Sequence, residues 1–341
     1  MIKKHEKIPL KKEYNLGIRI LKTFLSFMVV IDHLYNPNKK IKLVHILYYH
    51  IPTFFLISFY LTYKTLTSFN ISKIKLRLER LIIPYFSWCT ISWIIKIIYF
   101  YLFNINCSHS FIDFIRNLTH GHMFNVVLWF QAIIISMTFL FLIIIFIFKN
   151  NYLFILTLLG IIAFWSQYSE ANFYFFKQLS FHYCYTFGRF AEAFPNAVTG
   201  FIFAWFDIIN ILKAKNKISI FYSIIVLIMI SKYNIFSELN NFKYAGLRLN
   251  IAAICIFFIF SLTSCKISSK ILNKIILQIT NYTAGIYFIH VLIGRGYLAK
   301  SLILVKNGNI LGCILIYIIS YIICCIGEKL FRKTKFKHLF V

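Results

Sequence analysis

Acidic residues are scarce. The 341-residue chain holds 10 Asp and Glu against 37 Lys and Arg, and charged residues of both signs make up only 14% of it. A soluble domain carries charge at nearer a quarter of its positions because its surface faces water. Length alone would allow two soluble domains, but this composition argues against them. Cysteine adds no framework: the eight residues, Cys255, Cys313, Cys324 and Cys325 among them, fall largely within apolar runs. Their spacing builds neither a disulfide scaffold nor a zinc site, so they read as small apolar filler. His109, His120 and His122 do not form a recognised metal-ligand pattern, and no metal is expected. No Gly/Ser linker marks off a second domain, and no internal repeat is evident.

What is present in quantity is hydrocarbon: 60% of residues are apolar and 19% aromatic. They gather into runs of about 16 to 22 residues, close to the ~20 that a helix needs to cross ~30 Å of lipid. Only helices satisfy their own backbone hydrogen bonds there. Spans are predicted at 16–34, 43–63, 81–103, 126–148, 152–168, 187–206, 219–233, 249–264, 281–299 and 310–327. The expected fold is an all-α integral membrane bundle of about ten transmembrane helices. It occupies residues 16–330, between a basic N-terminus (1–15) and a basic tail (331–341). The first run is not read as a cleavable signal, since it is long, carries Asp32 and His33, and is followed by Asn36-Pro37-Asn38.

The net charge of +27 suggests nucleic acid until its distribution is considered. The cations sit in short loops and tails between apolar runs, whereas a nucleic-acid patch would cluster on a soluble surface. No nucleic-acid partner is expected. With the N-terminus inside, well over half of the 37 Lys and Arg residues fall in cytoplasmic segments. Lys73, Lys75, Arg77 and Arg80 make one such group, and Lys329 to Lys337 another. Positive-inside insertion then puts both termini in the cytoplasm.

A charged side chain inside the bilayer costs at least ~2.5–3.5 kcal/mol on insertion scales, so each one invites a functional hypothesis. The first span carries Lys22, Asp32 and His33. Lys22 and His33 are eleven positions apart, which brings them within about 20° of one face, roughly 16 Å apart along the axis. The competing reading has Lys22 snorkelling at the inner interface and His33 resting at the outer one. Arg77 and Arg80 lie one turn apart, so their guanidinium groups can converge on phosphates. Pro84 fits the first turn of a new helix there. Ordinary positive-inside charge is the alternative. Arg189 and Glu192 read as an internal brace ahead of Pro195, with a substrate-side role as the alternative. His290, in Gly285-Ile286-Tyr287-Phe288-Ile289-His290, is by itself more often a hydrogen-bonded core residue than a catalyst. Trp129 reads as packing or interfacial, and His45, His50 and Lys96 are assigned nothing.

Together these segments resemble the membrane-bound acyltransferase family 3, the inner-membrane acyl-CoA-dependent O-acyltransferases of bacterial glycans. Its first helix carries Arg, ten residues, then His, and Lys22 and His33 stand at those places. Ile51-Pro52-Thr53-Phe54-Phe55-Leu56-Ile57-Ser58 is similar to its second helix. Arg77-Leu78-Glu79-Arg80 followed by Ile-Pro-Tyr, Leu128-Trp129-Phe130, and residues 285–290 continue the order. The chain departs from the pattern at Lys22 (Arg in the family), Phe59 (Gly) and Val291 (Pro). Lys keeps the charge of Arg but not its bidentate geometry.

The resemblance implies transfer of an acyl group, acetyl being expected, from cytoplasmic acyl-CoA to a hydroxyl of a cell-surface or lipid-linked glycan. Such an enzyme is an acyltransferase moving groups other than amino-acyl groups. It would be a multi-pass protein of a bacterial inner membrane, with membrane lipids and the glycan as its partners. His33 is the expected base, since imidazole titrates near the working pH, with Lys22, Asp32 and His290 in the catalytic set. Arg77 and Arg80 would hold the donor, and Ser58, Trp129, Arg189, Glu192 and Tyr287 the substrate. Asp32 is not assumed to orient His33, because neighbouring helix positions point about 100° apart. A polytopic transporter or flippase of a polar glycan or lipid, and a catalytically inactive relative, remain the alternatives.

Overall fold

A computed structural model describes residues 16–34, 49–103, 110–120, 128–166, 185–213, 215–232, 247–263, 270–294 and 310–341, and among them there is helix but no strand. Lys39, Lys40, Lys42, His45, His109, His122 and Arg295 lie outside the described residues, as do the N-terminal 15. Among the described residues there are thirteen α-helices. They are α1 (Leu16–Leu34), α2 (His50–Leu66), α3 (Ile71–Phe103), α4 (Phe111–His120), α5 (Leu128–Phe148), α6 (Tyr152–Ser166) and α7 (Tyr185–Trp205). Then come α8 (Ile208–Lys213), α9 (Asn216–Lys232), α10 (Leu247–Leu262), α11 (Lys270–Asn281), α12 (Thr283–Gly294) and α13 (Ile310–Phe331), with a short 3₁₀ turn at Lys335–Leu339.

Among the described residues three apolar helical stretches, Ile71–Leu102, Leu128–Trp165 (α5 and α6 joined at Lys149–Asn151) and Ile310–Phe331, are long and apolar enough to cross a membrane, and α11 with α12, bent by 66°, makes a fourth if counted as one span. At 19 residues α1 is long enough too, but it carries Arg19, Lys22 and Asp32. Large apolar side chains point outward on the long helices: Phe146 is 73% exposed, Phe154 69% and Trp165 74%. Such a belt suits lipid, where water would make it an aggregation surface.

The start of α3 corrects the reading of Pro84. The helix begins at Asn70, whose Oδ1 accepts the Lys73 N–H at 3.1 Å in a capping bond. Pro84 is internal to it. Arg77 and Arg80 therefore ride on an uninterrupted helix that begins before them and runs on through Pro84. A proline clashes with the carbonyl four residues back, and the next carbonyl along, that of Leu81, takes a second donor, Gln131 Nε2 at 3.1 Å. Residues 104–125, read as loop, also contain α4. Ser110 caps it, accepting the Asp113 N–H at 3.1 Å, and Tyr85 Oη ties it to α3 through the Leu118 carbonyl at 2.7 Å.

Between α5 and α6 the chain reverses at Lys149, φ 39°. Phe141 of α5 lies against Phe194 and Phe201 of α7, and Gly160 of α6 returns to the same level, against Val198.

Helices α1 and α2 stand at the centre: α1 packs on α2, α10, α11, α12 and α13, and α2 on α1, α3, α5, α7 and α10. Lipid tails are as apolar as leucine, so close packing and polar bonds between helices, rather than water exclusion, hold such a bundle. Helices α2 and α7 approach to backbone contact. A Cβ on Gly200 would lie 2.0 Å from the Leu56 carbonyl oxygen, so only glycine permits this contact. Polar pairs stitch the rest: Asn196 to Asn250 at 2.7 Å, Thr23 to Thr280 at 3.0 Å and Ser26 to Tyr317 at 2.8 Å. Each contributes about 0.6 kcal/mol in lipid.

Candidate active site

Helix α1 carries two groups of polar side chains at its two ends. At the C-terminal end, the rings of His33 and His290 lie with centroids 5.4 Å apart and 37° between planes. His290 is fully buried, and its Nδ1 lies 3.0 Å from the Ile286 carbonyl one turn back. A carbonyl only accepts, so Nδ1 carries the hydrogen and the lone pair of the neutral ring sits on Nε2. His33 is half-buried, the more accessible of the two.

Asp32 faces the other way, its Oδ2 4.0 Å from His50 Nε2, with the two side chains only 5% and 1% exposed. Sequence reasoning missed His50. Its signal was its place directly before the Ile51-Pro52 segment, but only the apposition of α1 and α2 shows what it meets. Tyr287 is buried and its ring centroid is 6.1 Å from that of His290.

The other end of α1 gathers cations. Arg77 Nη2 donates to Ser58 Oγ at 3.1 Å, joining α3 to α2. Ser58 is thus placed on the arginine side rather than beside the histidines. Arg77 Nε is buried with no hydrogen-bond partner among the described residues, and a buried donor left unpaired is costly. Lys22, with Arg19 on its own helix, stands close enough to Arg77 for their charges to interact. Arg80 is exposed while Arg77 is half-buried, so of the two one is turned inward and one outward. The two groups are separated by about three turns of α1, roughly 16 Å.

A shallow recess opens beside the histidine end, lined by Ile51, Pro52, Phe55, Trp129, Arg189, Glu192 and Ala193. Arg189 Nη1 pairs with Glu192 Oε2 at 2.5 Å, the i, i+3 brace the sequence suggests. Its guanidinium carbon also sits 5.4 Å from the Trp129 ring centroid, within cation–π range. An aromatic chain leads inward from this recess. Phe55 packs on Phe130 at 4.6 Å, Phe130 on Tyr287 at 5.2 Å, and Tyr287 on His290.

Among the described residues no group of three or more His, Cys, Asp or Glu is arranged to hold a metal ion. A histidine pair, a separate cluster of cations and an aromatic recess thus lie together within an apolar helical bundle. A family model described as an acyltransferase domain matches residues 15–329, and the chain belongs to that family, membrane-bound acyltransferase family 3. No curated protein and no solved structure matches it.

Proposed function

We propose that this acyltransferase moves an acyl group, acetyl being expected, from cytoplasmic acyl-CoA to a hydroxyl of a cell-surface or lipid-linked glycan. The observation that carries the reading is the division of α1 between an imidazole pair and a cation cluster. Coenzyme A has the same division: phosphates at one end, thioester at the other, and a long flexible arm between.

In this reading Arg77, Lys22 and Arg80 receive the phosphates, and the unpaired Arg77 Nε gains its acceptor. The thioester reaches the histidine end. His33, the accessible ring, takes the proton of the acceptor hydroxyl as its oxygen attacks the thioester carbonyl. The C–S bond then breaks and the thiolate leaves, to be protonated in turn. His290, its tautomer fixed by Ile286, stands behind His33 and supports the imidazolium as it forms. The Trp129–Arg189–Glu192 recess would present the acceptor, a sugar face stacking on aromatic and apolar walls. The arrangement suits a multi-pass protein of a bacterial inner membrane, about ten spans with both termini inside.

The test is release of free thiol from acetyl-CoA by purified protein supplied with glycan-bearing membrane extract. Activity in the parent chain and none in His33→Ala is the expected result. No thiol release from the parent chain under any acceptor would sink the reading.

A further inference from the structure

The family match ends at residue 329, yet the segment after it is built into the fold. After α13 ends at Phe331, Thr334 caps a short 3₁₀ turn, its Oγ1 accepting the Phe336 N–H at 3.2 Å. The chain then hooks back onto α3, where Trp88 Nε1 donates to the Leu339 carbonyl at 3.2 Å. Phe340 fills a notch made by two glycines. A Cβ on Gly327 would lie 2.4 Å from the Phe340 ring, and one on Gly285 would lie 2.7 Å from the Phe340 carbonyl oxygen. His338 and Leu339 are buried.

The docked hook delivers one charge to a particular place. Lys335 Nζ reaches Glu79 Oε1 at 2.8 Å, although the Lys335 side chain is 69% exposed. Glu79 lies between Arg77 and Arg80 in sequence, an acid inside the motif read as the donor-phosphate site. An unpaired carboxylate there would repel an incoming phosphate and compete for Arg80. An exposed ion pair adds little to stability, and Phe340 with Leu339 already anchors the segment. The Lys335–Glu79 pair is therefore placed by the fold rather than needed to make it. His338 lies in the same field: burial first, then the nearby Arg80 and Lys337, pushes its pKa below the ordinary value.

We infer that the C-terminal hook is part of the donor site, and that Lys335 is a positioning residue that neutralises Glu79 so that Arg77 and Arg80 face a polyanionic donor unopposed. This rests on the reading that those arginines hold the donor's phosphates.

The test is equilibrium binding of acetyl-CoA to full-length protein in detergent, read at two salt concentrations. Lys335→Glu should weaken binding by about tenfold, on the order of one misplaced charge beside a partly screened site, and less so at high salt. Lys335→Ala should weaken it by a smaller factor. Glu79→Gln should bind at least as well as the parent. The double variant Glu79→Gln/Lys335→Ala should match Glu79→Gln alone, because a lysine whose task is to cancel Glu79 is dispensable once that charge is gone. A double variant as weak as Lys335→Ala would overturn the inference, since a purely structural lysine behaves that way. Parent-like affinity in Lys335→Ala would overturn it as well. An Arg77→Gln arm separates the two levels. If that variant binds acetyl-CoA like the parent, the donor reading falls and this inference falls with it. If it binds weakly while Lys335→Glu does not, only the hook's part is lost.

Discussion

The imidazole rings of His33 and His290 lie 5.4 Å apart although their residues sit near opposite ends of the chain. The contact forms because α12 packs along α1, and Leu34 is drawn against Gly294, where a Cβ would come within 2.4 Å of its side chain. Neither histidine can therefore be judged apart from the other, and their burial distinguishes them. The ring that meets substrate must be reachable, which favours His33. The ring with its Nδ1 committed to its own helix is fixed in orientation, which suits a supporting role for His290.

His33→Ala should lose about 10²–10⁴-fold in acyl transfer, the usual contribution of a positioned base. His290→Ala should lose less. Thiol release from acetyl-CoA, and mass spectrometry of surface glycans from strains carrying each variant, provide the readings. Equal loss in both, with normal accumulation in the membrane, would mean that the proton is shared by the pair.

Replacing Arg77 and Arg80 together with Gln should weaken acetyl-CoA binding while leaving yield unchanged. Most of that loss should appear in Arg77→Gln alone, because Arg77 is half-buried on Ser58 and Arg80 is exposed. Lys22→Arg should keep or raise activity, and Lys22→Leu should reduce it. Isothermal titration of acetyl-CoA against each variant decides the matter.

Gly200→Ala should lower thermal stability in detergent by at least the 1–3 kcal/mol typical of overpacking, because the new Cβ meets backbone rather than a movable side chain. Gly160→Ala should be milder, since its neighbour at 3.0 Å is the Val198 side chain. A Gly200→Ala protein as stable as the parent would show that α2 and α7 can separate at little cost.

The hook should dock less firmly in acid. The His338 pKa is lowered in the folded chain, by burial and by Arg80 and Lys337, so the folded state binds fewer protons there than the unfolded one. Its contribution is complete above the unfolded value of about 6.5 and is lost as the pH falls through the lowered folded value. Fluorescence of Trp88, whose indole donates to the Leu339 carbonyl, should report the change, and His338→Asn should flatten it.

Reporter fusions after residues 42, 72, 110 and 341 should read outside, inside, outside and inside, following the positive-inside bias. The last fusion needs a linker because Phe340 is docked. An outside C-terminus would reverse the assignment of the two ends of α1.

The helices were legible because hydrocarbon leaves the backbone no alternative, and the Arg189–Glu192 pair because an i, i+3 spacing is local. The alignment of Lys22 with His33 was legible for the same reason. His50 was not, since its partner Asp32 lies on another helix and no periodicity joins them. Pro84 misled because a proline suits the first turn of a helix, while Asn70 caps a helix that begins earlier and runs on through the proline. The hook was illegible in a different way. Its anchors are absences of side chain at Gly285 and Gly327, and a missing Cβ announces nothing until the chain that fills the space is seen.

The Leu56 carbonyl against Gly200 has a mechanical consequence. Two helices in backbone contact have no compliant layer between them, so α2 and α7 move as one rigid plate. That plate bears Ser58 on the arginine side and both Pro52 and Arg189 on the recess side, so the distance between the arginine contact and the recess is set by backbone rather than by side chains.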